Sequence, residues 1–333
     1  MVKIDSSNFM RAVYTEGYGT PDKLVVGTFP KPVIGPGEIL ISVKAAGVAF
    51  HDGLQLAGKH QIKHEMPYVP GMEIAGEILE LGDEVFDLKI GTRVMALHQG
   101  NAWGEFAKAN KGQVWALPNS VDFVSAAAIS MAYTTAYCGL YWEGKVKEGD
   151  TVLITGASGA VGLAAVDIAK TLGAKVIAVA SSQKRIAIAQ EYGADSCINY
   201  SRVPIKETVA ELTGGKGADV AFDPVMGFLY PDILSSLGWG GRHVIIGFAG
   251  GEIPQIPSNR LLIKNRSALG VVLSYYRYKR PALMRETVGT LFKWYQEGRI
   301  RPHIAKTGPL EMARDFLNGV MQRKLIGRAI LKL

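Results

Sequence analysis

Cysteine is nearly missing from this 333-residue sequence, with only Cys138 and Cys197, an entire predicted domain apart. That scarcity excludes a disulfide framework and any CxxC metal or redox motif, and it makes a reducing cytoplasm the expected compartment. Runs of like charge are missing too: the net charge is +7, yet no block of five or six cations occurs. A scattered basic excess is a poor footprint for nucleic acid. Its densest patch, YYRYKR at 275–280, reads as an amphipathic boundary before a helix starting near Pro281. The opening MVKIDSSNFM has no apolar core of the kind a secretory signal needs. One stretch, Phe123 to Trp142, carries no formal charge and has the length of a membrane span. It contains Ser125, Ser130, Thr134, Thr135 and several alanines, and it reads as a helix buried between domains. Neither a membrane nor a nucleic-acid partner is expected.

What is plentiful is glycine, with 39 residues, and apolar material at 48%, enough for two cores. Residues 11–118 read as short β-rich runs, such as EILISVKAAG and IAGEILELG, broken by Gly, Pro and Asp. They suggest a bent, barrel-like β domain with at most a short helical turn near His51–Gly58. After Pro118 the pattern changes. Ser125 can cap a helix running to about Tyr141, and from DTVLIT onward strands alternate with helices. That alternation predicts a doubly wound parallel sheet with helices on both faces. The last sixty residues hold helices over about 281–297 and 309–322 and a terminal strand, GRAILKL, and are expected to return to the first domain.

The sharpest signal is TGASGAVG. Gly156, Gly159 and Gly162 follow an apolar strand and open an alanine-rich helix. The first glycine permits a tight turn, the second lets backbone approach a pyrophosphate, and the third lets helix pack on strand. Free amides and the positive end of the helix dipole then face an anion. Gly156, Ser158, Gly159, Ala160, Val161 and Gly162 are the candidate pyrophosphate-binding residues. At the end of the next strand an Asp or Glu would bind the adenosine ribose hydroxyls and repel a 2′-phosphate. AVASSQKR has no acid there; Ser181, Lys184 and Arg185 stand in its place. Those groups suit a doubly charged phosphate, so NADPH is expected over NADH. Ser182 can cap the following helix.

Beyond single motifs, GPGEILISVKAAGV, GKHQIKHEMPYVPGMEIAGEI, GASGAVGLAA and GADSCINY occur in this order. Together they resemble the medium-chain dehydrogenase/reductase superfamily, and its zinc-independent quinone oxidoreductase branch above all. The resemblance spans essentially the whole chain. It implies an α/β protein with a GroES-like β-rich catalytic domain over 1–130 and an NADPH-binding Rossmann domain over 131–273. A C-terminal segment over 274–333 would return to the catalytic domain, the active cleft would lie between the domains, and homodimers would be usual. Tyr200 of INY would sit near the 2′-phosphate and Arg323, before LIG, would also serve the cofactor. Thr135 of AYTTAY, and Gly247 and Phe248 of VIIGFAGG, would lie by the nicotinamide.

Zinc-dependent relatives use a cysteine near the position of His51 and a histidine where this chain has Met72. The four-cysteine lobe typical of them is missing here. His60 and His64 stand at i, i+4, but the residues around them suggest a loop, and no zinc is expected. Two positions depart from the quinone branch: Ala49 replaces a common asparagine, and Leu54 stands where some members place a tyrosine. Substrate-wall candidates are Ala49, Phe50, Asp52, Met72 and Tyr133, with Tyr133 also the candidate proton donor and Asp52 able merely to cap a turn. The expected reaction is hydride transfer from NADPH to a quinone or other conjugated carbonyl. Rivals are a reductase of enones, enals or enoyl thioesters, and a cofactor-binding protein with an RNA-binding or sensing role.

Overall fold

A computed structural model describes residues 8–333; the first seven residues of the MVKIDSSNFM stretch lie outside the described residues. The chain forms two compact units. One takes the chain up to Met131 and again from Pro302 to Leu333, and the other is Ala132–Arg301.

The first unit begins with an antiparallel pair, β1 (Phe9–Tyr14) and β2 (Val25–Pro30). Its main sheet grows around β3 (Glu38–Val48), whose residues are all buried or half-buried. A short helix, α1 (Phe50–Leu56), follows directly, and then β4 (Glu73–Leu81), β5 (Arg93–Leu97), β6 (Phe106–Asn110) and β7 (Val114–Ala116). β3 pairs antiparallel with both β4 and β6, so it is the spine of the unit. Trp103 is fully buried and its indole N–H donates to the Gly47 carbonyl at 2.9 Å, anchoring the end of β3.

Helix α2 (Phe123–Tyr137) contains the division between the units and runs on as a π-helical turn over Cys138–Glu143. Phe123–Glu143 is long and apolar enough to cross a membrane by length and composition, and most of it is buried within the protein. Its start differs from the sequence expectation. The Asp122 carboxylate accepts the Ser125 amide N–H at 2.9 Å, so Asp122 caps the helix and Ser125 lies inside its first turn.

The second unit alternates strand and helix: β8 (Thr151–Thr155), α3 (Ala160–Thr171), β9 (Lys175–Ala180), α4 (Gln183–Glu191), β10 (Ser196–Asn199), α5 (Ile205–Leu212) and β11 (Ala218–Asp223). Then come α6 (Tyr230–Ser236), β12 (Leu237–Ile245), α7 (Ser258–Leu262) and β13 (Ser267–Gly270). All six strands are parallel, in the order β10-β9-β8-β11-β12-β13. This is the doubly wound nucleotide-binding order, with its switch point between β8 and β11. The strands read as continuous apolar runs because helices cover both faces.

YYRYKR lies within a short helix of its own, α8 (Leu273–Lys279), and its C-terminal flank, with Tyr276 and Arg277 buried, and the next helix starts at Pro281 as expected. The expected return of the tail needs correction. The chain stays in the second unit past 274, through α9 (Pro281–Gln296), and re-enters the first only at Pro302. The reason is burial: α9 sinks Met284, Val288, Leu291, Phe292 and Trp294 into the second unit. Trp142 Nε1 also donates to Thr287 Oγ1 at 3.1 Å. Back in the first unit, β14 (Ile304–Gly308), α10 (Ala313–Met321) and β15 (Arg328–Lys332) follow. β15 pairs antiparallel with β3, and α10 buries Ala313, Phe316 and Leu317 at helical spacing.

Candidate functional site

In the second unit the candidate residues gather at the carboxyl ends of the strands, where open α/β sheets bind ligands. Gly156 ends β8 with φ +57°, a left-handed conformation that favours glycine, and the Gly159 amide closes the turn on the Gly156 carbonyl at 2.8 Å. A Cβ on Gly162 would stand 2.1 Å from the Gly156 oxygen, so only glycine lets α3 lie this close to the turn. Gly159 is the N-cap of α3, and Ala160 and Val161 open the helix, both half-buried.

Ser158 is buried, and its Oγ accepts a hydrogen bond from Arg185 Nη1 at 2.8 Å. Turn and cation thus form one surface, although 27 residues separate them. Ser182 occupies the N-cap position of α4 without a side-chain capping bond. Lys184 is exposed, whereas Ser181 is half-buried and its carbonyl accepts from Ser201 Oγ at 3.1 Å. Tyr200 follows β10 with its amide bonded to the Ala180 carbonyl, and its ring stands edge-on to Phe228 at 5.8 Å. Ser158, Ser181, Lys184, Arg185 and Tyr200 supply hydroxyls and two cations with no carboxylate among them. With the glycine cradle, that donor set fits a dinucleotide bearing a 2′-phosphate.

Beyond β12, Gly247 is half-buried and Phe248 exposed. Their loop is tied to the one after β11, because the Ala249 and Gly250 amides donate to the Pro224 and Val225 carbonyls. Thr135 lies nearly buried in α2. Arg323 belongs to the first unit, where it is exposed just after α10 with φ +56°.

Beneath the switch point lies a buried network that the sequence did not announce. Thr155 Oγ1 donates to Asp223 Oδ1 at 2.5 Å, the Val225 and Met226 amides donate to the same oxygen at 3.0 and 2.8 Å, and His243 Nε2 stands 3.0 Å from Oδ2. Tyr230 stacks on the His243 ring. Burial pushes the Asp223 carboxyl up, but His243 and the donated hydrogen bonds win, and the net direction is down. An acid closing the apolar run ADVAFD was the one available hint.

Tyr133 requires a correction. Its hydroxyl is buried and donates to Asp167 Oδ2 at 2.8 Å, inside the second unit. Burial and the adjacent carboxylate drive the phenol well above its usual range. A proton held that way is not available to a substrate, so Tyr133 is a structural residue.

In the first unit, Ala49 is the residue before α1, and its amide N–H donates to Asp52 Oδ2 at 2.7 Å. Asp52 therefore does cap a turn, and it is fully buried. His51 Nε2 lies 3.0 Å from the other Asp52 oxygen. Met72 is buried and its sulfur accepts from Gln55 Nε2 at 3.6 Å, while Phe50 and Leu54 are half-buried. Next along β4, fully buried Glu73 accepts from Ser130 Oγ at 2.9 Å, and its Oε1 lies 2.5 Å from Arg328 Nη2. Gly47 makes this pair possible: a Cβ there would meet Arg328 Nη2 at 2.4 Å. Sequence reasoning missed Glu73, Arg328 and the His51–Asp52 contact, because the first two meet only when β15 returns beside β3.

Compared with known proteins, residues 35–143 match the family profile described as alcohol dehydrogenase GroES-like domain, and residues 160–288 match zinc-binding dehydrogenase. The quinone oxidoreductase-like protein 2 homolog of Nematostella vectensis is 38% identical over 324 residues, covering 96% of this chain and 88% of that protein. A mycobacterial protein solved in complex with NADPH superposes with a TM-score of 0.91 at 28% identity, covering 97% of this chain and 100% of the other. A quinone oxidoreductase from Pseudomonas syringae has the same TM-score, identity and coverage. The second profile's name raises zinc, which needs about three protein ligands around one point. Among the described residues no group of three or more His, Cys, Asp or Glu side chains is placed to hold a metal. His60 Nδ1 instead accepts the Ile62 amide, and His64 stacks on Tyr68 at 4.6 Å. The donor set does not fit zinc.

Proposed function

The chain belongs to the medium-chain dehydrogenase/reductase superfamily, in its quinone oxidoreductase-like branch, and we propose that it reduces quinones or other conjugated carbonyls with NADPH and without zinc. The observation that carries the cofactor choice is the Arg185–Ser158 bond beside an acid-free end of β9. NADPH supplies a hydride when bound. Gly156, Ser158, Gly159, Ala160, Val161 and Gly162 would hold its pyrophosphate, and Ser181, Lys184, Arg185 and Tyr200 its 2′-phosphate, with Arg323 assisting. Thr135, Gly247 and Phe248 would position the nicotinamide.

A quinone or enone suits a site without a metal, because the charge that hydride brings spreads through conjugation and needs no Lewis acid. Orientation against apolar walls then supplies much of the acceleration. Ala49, Phe50 and Met72 are the walls we assign, and they offer shape rather than polar contacts. A homodimer in the cytoplasm is the expected working form, and two cysteines without a partner suit that compartment.

The test is a fluorescence titration with NADPH and NADH, followed by turnover of 1,4-benzoquinone, 9,10-phenanthrenequinone and a set of enones. Tighter NADPH binding with quinone turnover supports the proposal. Enone turnover without quinone turnover moves the assignment to an alkene reductase, and no turnover of either class overturns it.

A further inference from the structure

Reduction of a quinone or enone needs a proton as well as a hydride, and the residues around Ala49 are poor in groups that could give one. Ala49, Phe50, Leu54 and Met72 have no acidic hydrogen, and the Tyr133 hydroxyl is given to Asp167. We infer that His51, paired with the Asp52 carboxylate, is the general acid of the reaction, an inference that rests on the functional reading above.

The geometry is that of a dyad. Asp52 is fixed from below: its side chain is fully buried and one oxygen is taken by the Ala49 amide at 2.7 Å. The other oxygen lies 3.0 Å from His51 Nε2, within ion-pair distance but not aligned as a hydrogen bond. The imidazole itself is 21% exposed, against 0% for the carboxylate, so the ring forms the outer member of the pair. With Nε2 turned to Asp52, Nδ1 is the nitrogen left to serve an outside partner, and in the protonated ring it is a donor. A carboxylate that orients an imidazole and stabilises its cation is a recurrent way to make histidine an acid or base.

The surrounding charges favour the protonated ring. Burial pushes His51 down, but Asp52 on its own helix, and then Glu73 from β4, push it up against the opposing Arg328 from β15, and the net direction is up. His60, in the loop after α1, and His64 both move down, burial leading in each case. Of these three histidines, His51 is the one whose proton is held more tightly than usual.

The step balances simply. Hydride from the reduced nicotinamide brings two electrons to the acceptor and leaves a hydroquinone anion or an enolate. His51 gives its Nδ1 proton, which becomes the O–H of a hydroquinone or the α C–H of a saturated carbonyl. Asp52 keeps the ring in place throughout, and the neutral imidazole takes its next proton from water.

The experiment compares wild type with His51→Gln, Asp52→Asn and His60→Gln. It measures kcat against pH, NADPH affinity by fluorescence, and the histidine titrations by NMR. Expected for His51→Gln is a roughly hundredfold loss in kcat, unchanged NADPH affinity, and loss of the alkaline fall in kcat. Asp52→Asn should move that fall, and the His51 resonance, to lower pH, whereas His60→Gln should keep both. Wild-type kcat and pH profile in His51→Gln overturn the inference alone. So does a His51 resonance that titrates below those of His60 and His64, a result readable even if Asp52→Asn fails to fold. A wild-type protein that reduces no acceptor overturns the functional reading and the acid with it.

Discussion

Arg185, in the first turn of α4, donates from Nη1 to Ser158 Oγ in the glycine turn at 2.8 Å. The bond joins the end of the first strand to the start of the second helix, and it points a guanidinium at the place where a ribose acid is missing. Replacing Lys184 and Arg185 together with Ala should therefore weaken NADPH about ten- to a hundredfold, from charge-assisted bonds worth about 1.5–3 kcal/mol. NADH should change far less. Equal losses for both cofactors, read by fluorescence titration, would return the two residues to the solvated surface.

Gly162→Ala tests the turn itself. The new Cβ would stand 2.1 Å from the Gly156 oxygen and 2.7 Å from its carbonyl carbon, both backbone atoms that cannot swing away. Loss of stability on the order of 1–3 kcal/mol is expected, together with loss of dinucleotide binding. Denaturant unfolding and a binding titration would check both, and a neutral variant would show that the turn can relax.

Asp167 should leave a mark on stability against pH. Burial raises its carboxyl to about 6, against the opposing Arg301 amide and Tyr133 hydroxyl. The folded protein then binds a proton more tightly than the unfolded chain. Stability should be fully present below the ordinary carboxylate range and fall as pH rises toward about 6, by on the order of 3 kcal/mol. Asp167→Asn should flatten that slope in melting curves taken between pH 4 and 7. An unchanged slope would assign it to another group.

Zinc offers a further check. With no three-ligand set among the described residues, purified protein should carry far less than one zinc per chain, and a chelator should leave quinone reduction unchanged. Stoichiometric zinc by metal analysis, lost together with activity, would reverse the assignment.

Much of the second unit was legible because its signals are local. An apolar strand, three spaced glycines and a small-residue helix lie within one short stretch, and each residue's role follows from its neighbours. Helix starts were less legible: Ser125 was the expected cap, and the observed bond makes Asp122 the cap instead. Tyr133 shows the same limit. Its sequence neighbours say nothing of Asp167, 34 residues on, which accepts its hydrogen bond.

The amino-acid sequence by itself determined the alternation of strand and helix, the glycine turn and the cations that replace an acid. These depend on periodicity, backbone freedom and charge within a few residues. Tertiary structure decided which polar groups are engaged and which remain for chemistry. Glu73 meets Arg328 only because β15 lies beside β3, and Asp223 meets His243 only because β11 and β12 are neighbours. His51 and Asp52 are adjacent in the chain, yet the dyad depends on burial of the carboxylate within a folded unit. Pairing across hundreds of residues follows from packing and desolvation, which no local pattern records.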